Sequence, residues 1–190
     1  LSLHDALPIF DSCRVLSSSG TDAYSAYSAA IGSLKGPKHG GANFKVGEMI
    51  ADIEHNAHDW DNDDEIASYL GRILRKEVFD GAGLIYGMGH AVYTKSDPRA
   101  ELVKRYARAL AEERGIADEL DLIESVERLA PQVMRDVRGI KKAVCANIDM
   151  YTGFVYSMLG VPQDMYTPIF AIARMAGGAA QRMEELYGES

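Results

Sequence analysis

The chain has 190 residues, 47% of them hydrophobic and 25% charged, with a net charge of −8. That is enough for one ordinary domain or two small ones with a sizeable core, and the acidic balance argues against nucleic acid and anionic membranes as partners. No apolar run is long enough to span a bilayer, and two cysteines as distant as Cys13 and Cys145 offer no disulfide framework and fit a reducing cytoplasm.

Residues 1–10 (LSLHDALPIF) differ in style from the rest of the chain and are expected to be non-native. They lack the basic region and cleavable apolar stretch of a signal peptide. With no initiator methionine, the chain reads as a fragment or a processed piece. Residues 17–21 (SSSGT) form a turn with capping residues, after which Tyr24, Tyr27, Ile31 and Leu34 repeat at helical spacing. Gly36 and Pro37 stop that helix, and a glycine-flanked histidine, His39, comes next. Val46, Met49, Ile50 and Ile53 mark one face of the next helix. Residues 55–65 are an acidic link in which Asn62 and Glu65 resemble a capping box. Ile66, Leu70, Ile73 and Leu74 mark another helix, ending before Asp80.

The stretch 83–100 (GLIYGMGHAVYTKSDPRA) presents a second glycine-flanked histidine, His90. Asp97 suits a helix N-cap with Pro98 at the first helical position, which puts Arg99 at the positive end of a helix, where an anion binds well. The glycine spacing does not fit a dinucleotide fingerprint. Leu102, Val103, Tyr106 and Leu110 give the face of that helix, ending near Gly115. Leu120, Ile123, Val126 and Leu129 give another, kinked or divided by Pro131. Asp149 stands before a helix carrying Tyr151, Phe154, Val155, Met158 and Leu159, broken at 160–162. The last helix, about 166–187, is nearly apolar in its first half and is expected to be buried. Strand alternation is scarce, so the chain reads as all-α.

The acids are unevenly placed. None occurs between Asp22 and Glu48, Asp80 and Asp97, Asp136 and Asp149, or Asp164 and Glu184. Locally basic windows around both glycine–histidine loops in an acidic chain point to a small anionic ligand, since arginine suits carboxylate and phosphate. Taken singly, the candidates stay open. His39 could donate a hydrogen bond to developing negative charge or simply cap a helix. Asp149 could be a general base or an N-cap. His90 could be functional or an incidental loop residue. His55 and His58 beside several aspartates could suggest a metal, but without H-E-x-x-H or cysteine ligands a solvated acidic loop is the better account. Cys13 and Cys145 lack a nucleophile context and read as structural.

Together, the segments GPKHGGAN (36–43), GLIYGMGHAVYTKSDPRA (83–100), ANIDMYTG (146–153) and DMYTPIFAIARMAG (164–177) resemble the citrate synthase family. The resemblance covers residues 11–190 but only the C-terminal part of a family member. It implies an all-helical homodimer with a large and a small domain, here divided as 1–41 (large), 42–154 (small) and 155–190 (large, truncated). It also implies an enzyme that condenses acetyl-CoA with oxaloacetate without a metal or prosthetic group, the acetyl-CoA serving as substrate. Close relatives use propionyl-CoA to make 2-methylcitrate. By resemblance, His39, His90 and Asp149 are catalytic, and Arg99 and Arg174 bind substrate carboxylates. Leu84, Ile85, Gly87, Met88, Gly89, Lys142 and Asn147 lie at CoA. The family's upstream oxaloacetate-binding histidine is not matched by His4, whose neighbours differ. The late Arg-Pro segment has no counterpart, and Gly178 and Gln181 stand where close relatives carry an aromatic residue and a histidine. A non-catalytic module or inactive fragment of the same fold is the alternative.

Overall fold

The computed structural model describes residues 3–34, 41–90 and 93–188, with side chains from residue 11 onward. Among the described residues there are eight α-helices and a 3-10 turn, and the only β pairing is a single antiparallel bridge, Met88 to Ala146. The helices are α1 (Leu3–Ser18), α2 (Ala23–Leu34), α3 (Ala42–Asn56), α4 (Asp63–Leu74), α5 (Pro98–Arg114), α6 (Ala117–Arg138), α7 (Asp149–Met158) and α8 (Tyr166–Tyr187). The all-α expectation holds. No helix is long and apolar enough to cross a membrane among the described residues.

The chain divides into two compact units, one made of Leu1–Gly41 and Pro162–Ser190, the other of Ala42–Val161. The second unit takes in α7, which packs on α3 and α5. Its core is built as the periodicity of α3, α4 and α6 dictates. Met49 and Ile53, Ile66, Leu70 and Ile73, and Leu120, Leu122 and Val126 are all buried, together with Met150 and Tyr151 of α7. Residues three and four apart share a helix face, so Met49 with Ile53, Ile66 with Leu70 and Ile73, and Leu122 with Val126 each form one stripe.

The caps are largely those read from the sequence. Asn62 accepts from the backbone N–H groups of Asp64 and Glu65 at the start of α4. Glu65 does not close the box on Asn62; its carboxylate takes the N–H of His58 at 2.7 Å and so ties down the acidic link. Asp97 caps α5 with Pro98 behind it, and Gly115 ends α5 in the left-handed conformation. Pro131 neither divides α6 nor stops it. The helix continues to Arg138, because the proline removes one backbone bond while the stripe through Val126, Ala130 and Val133 stays buried.

Three faces differ from expectation. In α2 the buried residues are Ala26, Ala30 and Leu34, while Tyr24 is 86% exposed and Ile31 is exposed. In α5 they are Ala100, Ala107 and Ala111, while Leu102 and Tyr106 face solvent. Both helices approach their neighbours along alanine, which permits close packing that bulky side chains would hold apart. In α8 only Tyr166 and Gly178 are buried and Ile172 is 69% exposed, since α1, α2 and the 3-10 turn cover one side of it. On that side Gly178 takes the Tyr27 ring, whose Cε1 lies 3.1 Å from where a Cβ would stand, and its carbonyl accepts from the Cys13 thiol.

Candidate active site

Within the second unit, the loop between α4 and α5 is fastened to the segment that leads into α7. The N–H of Gly89 donates to the carbonyl of Cys145 and the N–H of Asn147 to that of Gly87, both at 2.8 Å. The Asn147 side chain then donates to the Gly89 carbonyl at 3.0 Å, and its Oδ1 accepts from the N–H of Asp149 at 3.0 Å. This short ladder is what brings the His90 loop beside the start of α7. It demands glycine at 87, where φ is +79° and a Cβ would lie 3.0 Å from the Met150 Cα.

The loop's other end is held by Arg138. Its guanidinium donates to the Leu74 carbonyl at 2.6 and 3.0 Å and to the Gly83 carbonyl at 3.0 Å. Sequence reading gave Arg138 no such role, because both acceptors are backbone atoms far away in the chain. Between these anchors Leu84 is 55% exposed and Ile85 is buried in the core. Leu84 therefore offers its side chain outward, whereas Ile85 is packed in the core. Gly87 is buried and Met88 and Gly89 are half-buried. Lys142 is exposed on the stretch that leads to the ladder.

His90 is buried, with its Nδ1 accepting from the Tyr93 N–H at 3.0 Å and its ring 4.7 Å from the Tyr93 ring. Arg99 places its Nη2 3.2 Å from His90 Nε2. Asp97 accepts from the Nε and Nη2 of Arg99 at 2.9 and 2.7 Å, and from the Arg99 N–H at 3.0 Å. Burial pushes the Asp97 carboxyl up, but the three bonds from Arg99 outweigh it and hold the group below the usual carboxylate range. Arg99 is correspondingly raised, first by its bonds to Asp97 and further by the charges of Asp97 and Asp149. Asp149, the first residue of α7, is half-buried; burial first, and then the Asp149 charge, raises the Tyr156 hydroxyl. Under it, the buried Tyr151 donates to the Glu127 carboxylate, which also takes Lys104 at 2.7 Å. Helices α5, α6 and α7 are thus tied together beneath the site.

Of the sequence candidates, the second unit therefore gathers His90, Arg99, Asn147, Asp149 and the 84–89 backbone. His39 lies outside the described residues. Arg174 is in the first unit, on α8, stacked over the Phe170 ring at 4.5 Å. Among the described residues no group of three or more His, Cys, Asp or Glu could hold a metal ion, and His55 and His58 are joined by no third ligand. Cys145 donates to the Tyr93 carbonyl at 3.3 Å, and burial pushes its thiol up, away from the thiolate a nucleophile needs.

The all-helical scaffold thus holds an imidazole, a carboxylate and an anchored guanidinium close to the glycine-rich 83–89 segment. The family model "Citrate synthase, C-terminal domain" matches residues 11–190, and the chain belongs to the citrate synthase family. It is 36% identical over 173 residues to the citrate synthase of Corynebacterium glutamicum, a match that covers 91% of this chain and 37% of that protein. It is 38% identical over 177 residues to 2-methylcitrate synthase 1 of the same organism, covering 92% and 40%. Its fold is similar to the citrate synthase of Thermoplasma acidophilum solved as a ternary complex with carboxymethyl coenzyme A and oxaloacetate. That similarity has a TM-score of 0.71 and 26% identity, over 95% of this chain and 44% of that one. The chain spans about two fifths of the length of these curated relatives.

Proposed function

We propose that the protein, at full length, condenses acetyl-CoA with oxaloacetate to give citrate and free CoA. The observation that supports this reading is the ladder between 87–89 and 145–147, which joins the loop that ends at His90 to the segment that leads to Asp149, with Arg99 3.2 Å from His90. In this reading Asp149 takes a proton from the carbon next to the thioester, and His39 donates a hydrogen bond to the enolate oxygen that forms. The enol carbon attacks the keto carbon of oxaloacetate, and His90 gives its proton to the keto oxygen as the carbon–carbon bond closes. Water then cleaves the thioester and CoA leaves as the thiol. Arg99 and Arg174 orient the dicarboxylate. Leu84 and the backbone from Ile85 through Gly87, Met88 and Gly89 lie along CoA, with Lys142 and Asn147 near it. CoA enters as a substrate, with no prosthetic group. The division into a small domain near 42–154 within a large one, a homodimer, and a cytoplasmic location belong to the same proposal. Two cysteines with no disulfide between them support the last.

The test is oxaloacetate-dependent release of free CoA thiol by the full-length protein. Asp149→Ala should lower kcat about 10³-fold, within the range general-base catalysis contributes. Release that is absent in the unsubstituted protein, or untouched by Asp149→Ala, defeats the reading and leaves a non-catalytic module. The 38% identity to a 2-methylcitrate synthase favours a second reading in which propionyl-CoA is the acyl donor. One methylene in an acyl pocket is worth only about 1–3 kcal/mol, so the ratio of kcat/KM for acetyl-CoA and propionyl-CoA decides between them.

A further inference from the structure

The Asp97 side chain has no exposure to solvent, and a helix cap alone does not account for a buried carboxylate. A cap needs one acceptor oxygen, which Asn or Ser supplies without charge. Burying a carboxylate is costly unless something answers it. Here the answer is Arg99, gripped through Nε and Nη2 by both oxygens in the two-pronged geometry that fixes a guanidinium plane. The Nη1 edge takes no part in this grip.

The same contact reaches His90. Its Nδ1 accepts from the Tyr93 N–H, so in the neutral ring the proton belongs on Nε2. That nitrogen faces Arg99 Nη2 at 3.2 Å and Asp97 Oδ2 at 3.9 Å. A ring N–H directed at a guanidinium would be repelled by a bare cation. With the carboxylate against the same Nη2 group, the cation's field at the ring is largely cancelled. We infer that Asp97 is a positioning residue for the reaction, acting through both neighbours. It holds the guanidinium so that Nη1 is left for a substrate carboxylate, and it lets His90 keep its proton on Nε2, available to a keto oxygen that binds beside Arg99. This inference rests on the proposed function for its substrate.

Asp97→Asn separates the two roles, because asparagine caps a helix as well as aspartate does but carries no charge. In the full-length protein, Asp97→Asn should leave the helical circular dichroism and the KM for acetyl-CoA within twofold of the unsubstituted values. It should raise the KM for oxaloacetate at least tenfold and lower kcat at least tenfold. Kinetic constants for oxaloacetate within twofold of the unsubstituted protein would reduce Asp97 to a cap. A second readout needs neither the variant nor activity: imidazole nitrogen NMR of the unsubstituted protein locates the His90 proton. A neutral ring protonated at Nε2 is expected, and one protonated at Nδ1 overturns the inference. If the unsubstituted protein releases no thiol, the proposed function has failed, and comparing that nitrogen spectrum with the one of Asp97→Asn decides on Asp97: an unchanged His90 ring in the variant overturns the inference.

Discussion

A side chain at position 87 would have to share space with the Met150 Cα and the Val46 Cγ2, each 3.0 Å from where its Cβ would stand, on a backbone at φ +79°. L-residues rarely adopt that conformation, and the Met150 atom is backbone that cannot swing aside. Gly139, at φ +65° with nothing within 4 Å, shares the backbone demand but not the crowding. Gly87→Ala should therefore cost about 2–5 kcal/mol, joining a left-handed penalty of about 1–2 to an overpacking cost of about 1–3. Gly139→Ala should cost about 1 kcal/mol. Denaturant midpoints at unchanged slope measure both, and equal losses would show that the ladder at 87–89 tolerates displacement. The distinction bears on chemistry, because the same ladder sets the distance between the His90 loop and Asp149.

At the scale of elements, α2 and α5 bury alanine where the large residues had suggested another face. Ala107 has no exposed surface and lies in the stripe that packs α5 on its neighbours, whereas Leu102 is exposed. Ala107→Leu should destabilise by about 1–3 kcal/mol, and Leu102→Ala should stay within about 0.5 kcal/mol. Thermal or denaturant unfolding checks the pair, and the reverse order would restore the face read from periodicity. The contrast shows what sequence can carry. Broad aliphatic stripes such as Ile66, Leu70, Ile73 and Leu74 name their own buried side, and caps such as Asn62, Asp97 and Gly115 name helix ends. A stripe of alanine contributes little to a periodic hydrophobic signal and loses to nearby Leu and Tyr. For the site, His90, Arg99 and Asp149 were visible as members of motifs. What joins them was not, because the bonds of Gly87 and Gly89 to Asn147 and Cys145 run between distant backbone groups, and backbone atoms leave no mark in a sequence. Asp97 was legible as a cap by its place before Pro98, but its grip on Arg99 needed coordinates.

At the scale of the molecule, the two units differ sharply in what they bury. The larger core cluster lies entirely between Val46 and Met158, inside Ala42–Val161. The other holds Cys13, Ala26, Ala30 and Leu34, with Leu16, Phe170 and Ala171 packed against it. Apolar area removed from water is the main favourable term in folding, so the second unit carries its own means of folding, whereas the first buries less among its described residues. A unit of its length is within the usual range of independent domains. Residues 42–161 expressed alone should therefore unfold in one cooperative step. Trp60, the only tryptophan, packs at the edge of that core, and its fluorescence and the helical circular dichroism should report the same denaturant midpoint. Separated transitions, or none, would mean that the unit depends on contacts outside its own sequence. Cooperative unfolding would carry a consequence for the site, since His90, Tyr93, Asp97 and Arg99 all lie within this segment and bond to one another. The isolated unit should then keep the His90 ring in the Nε2-protonated form, because Tyr93 and Arg99, which contact its two nitrogens, fold with the same core.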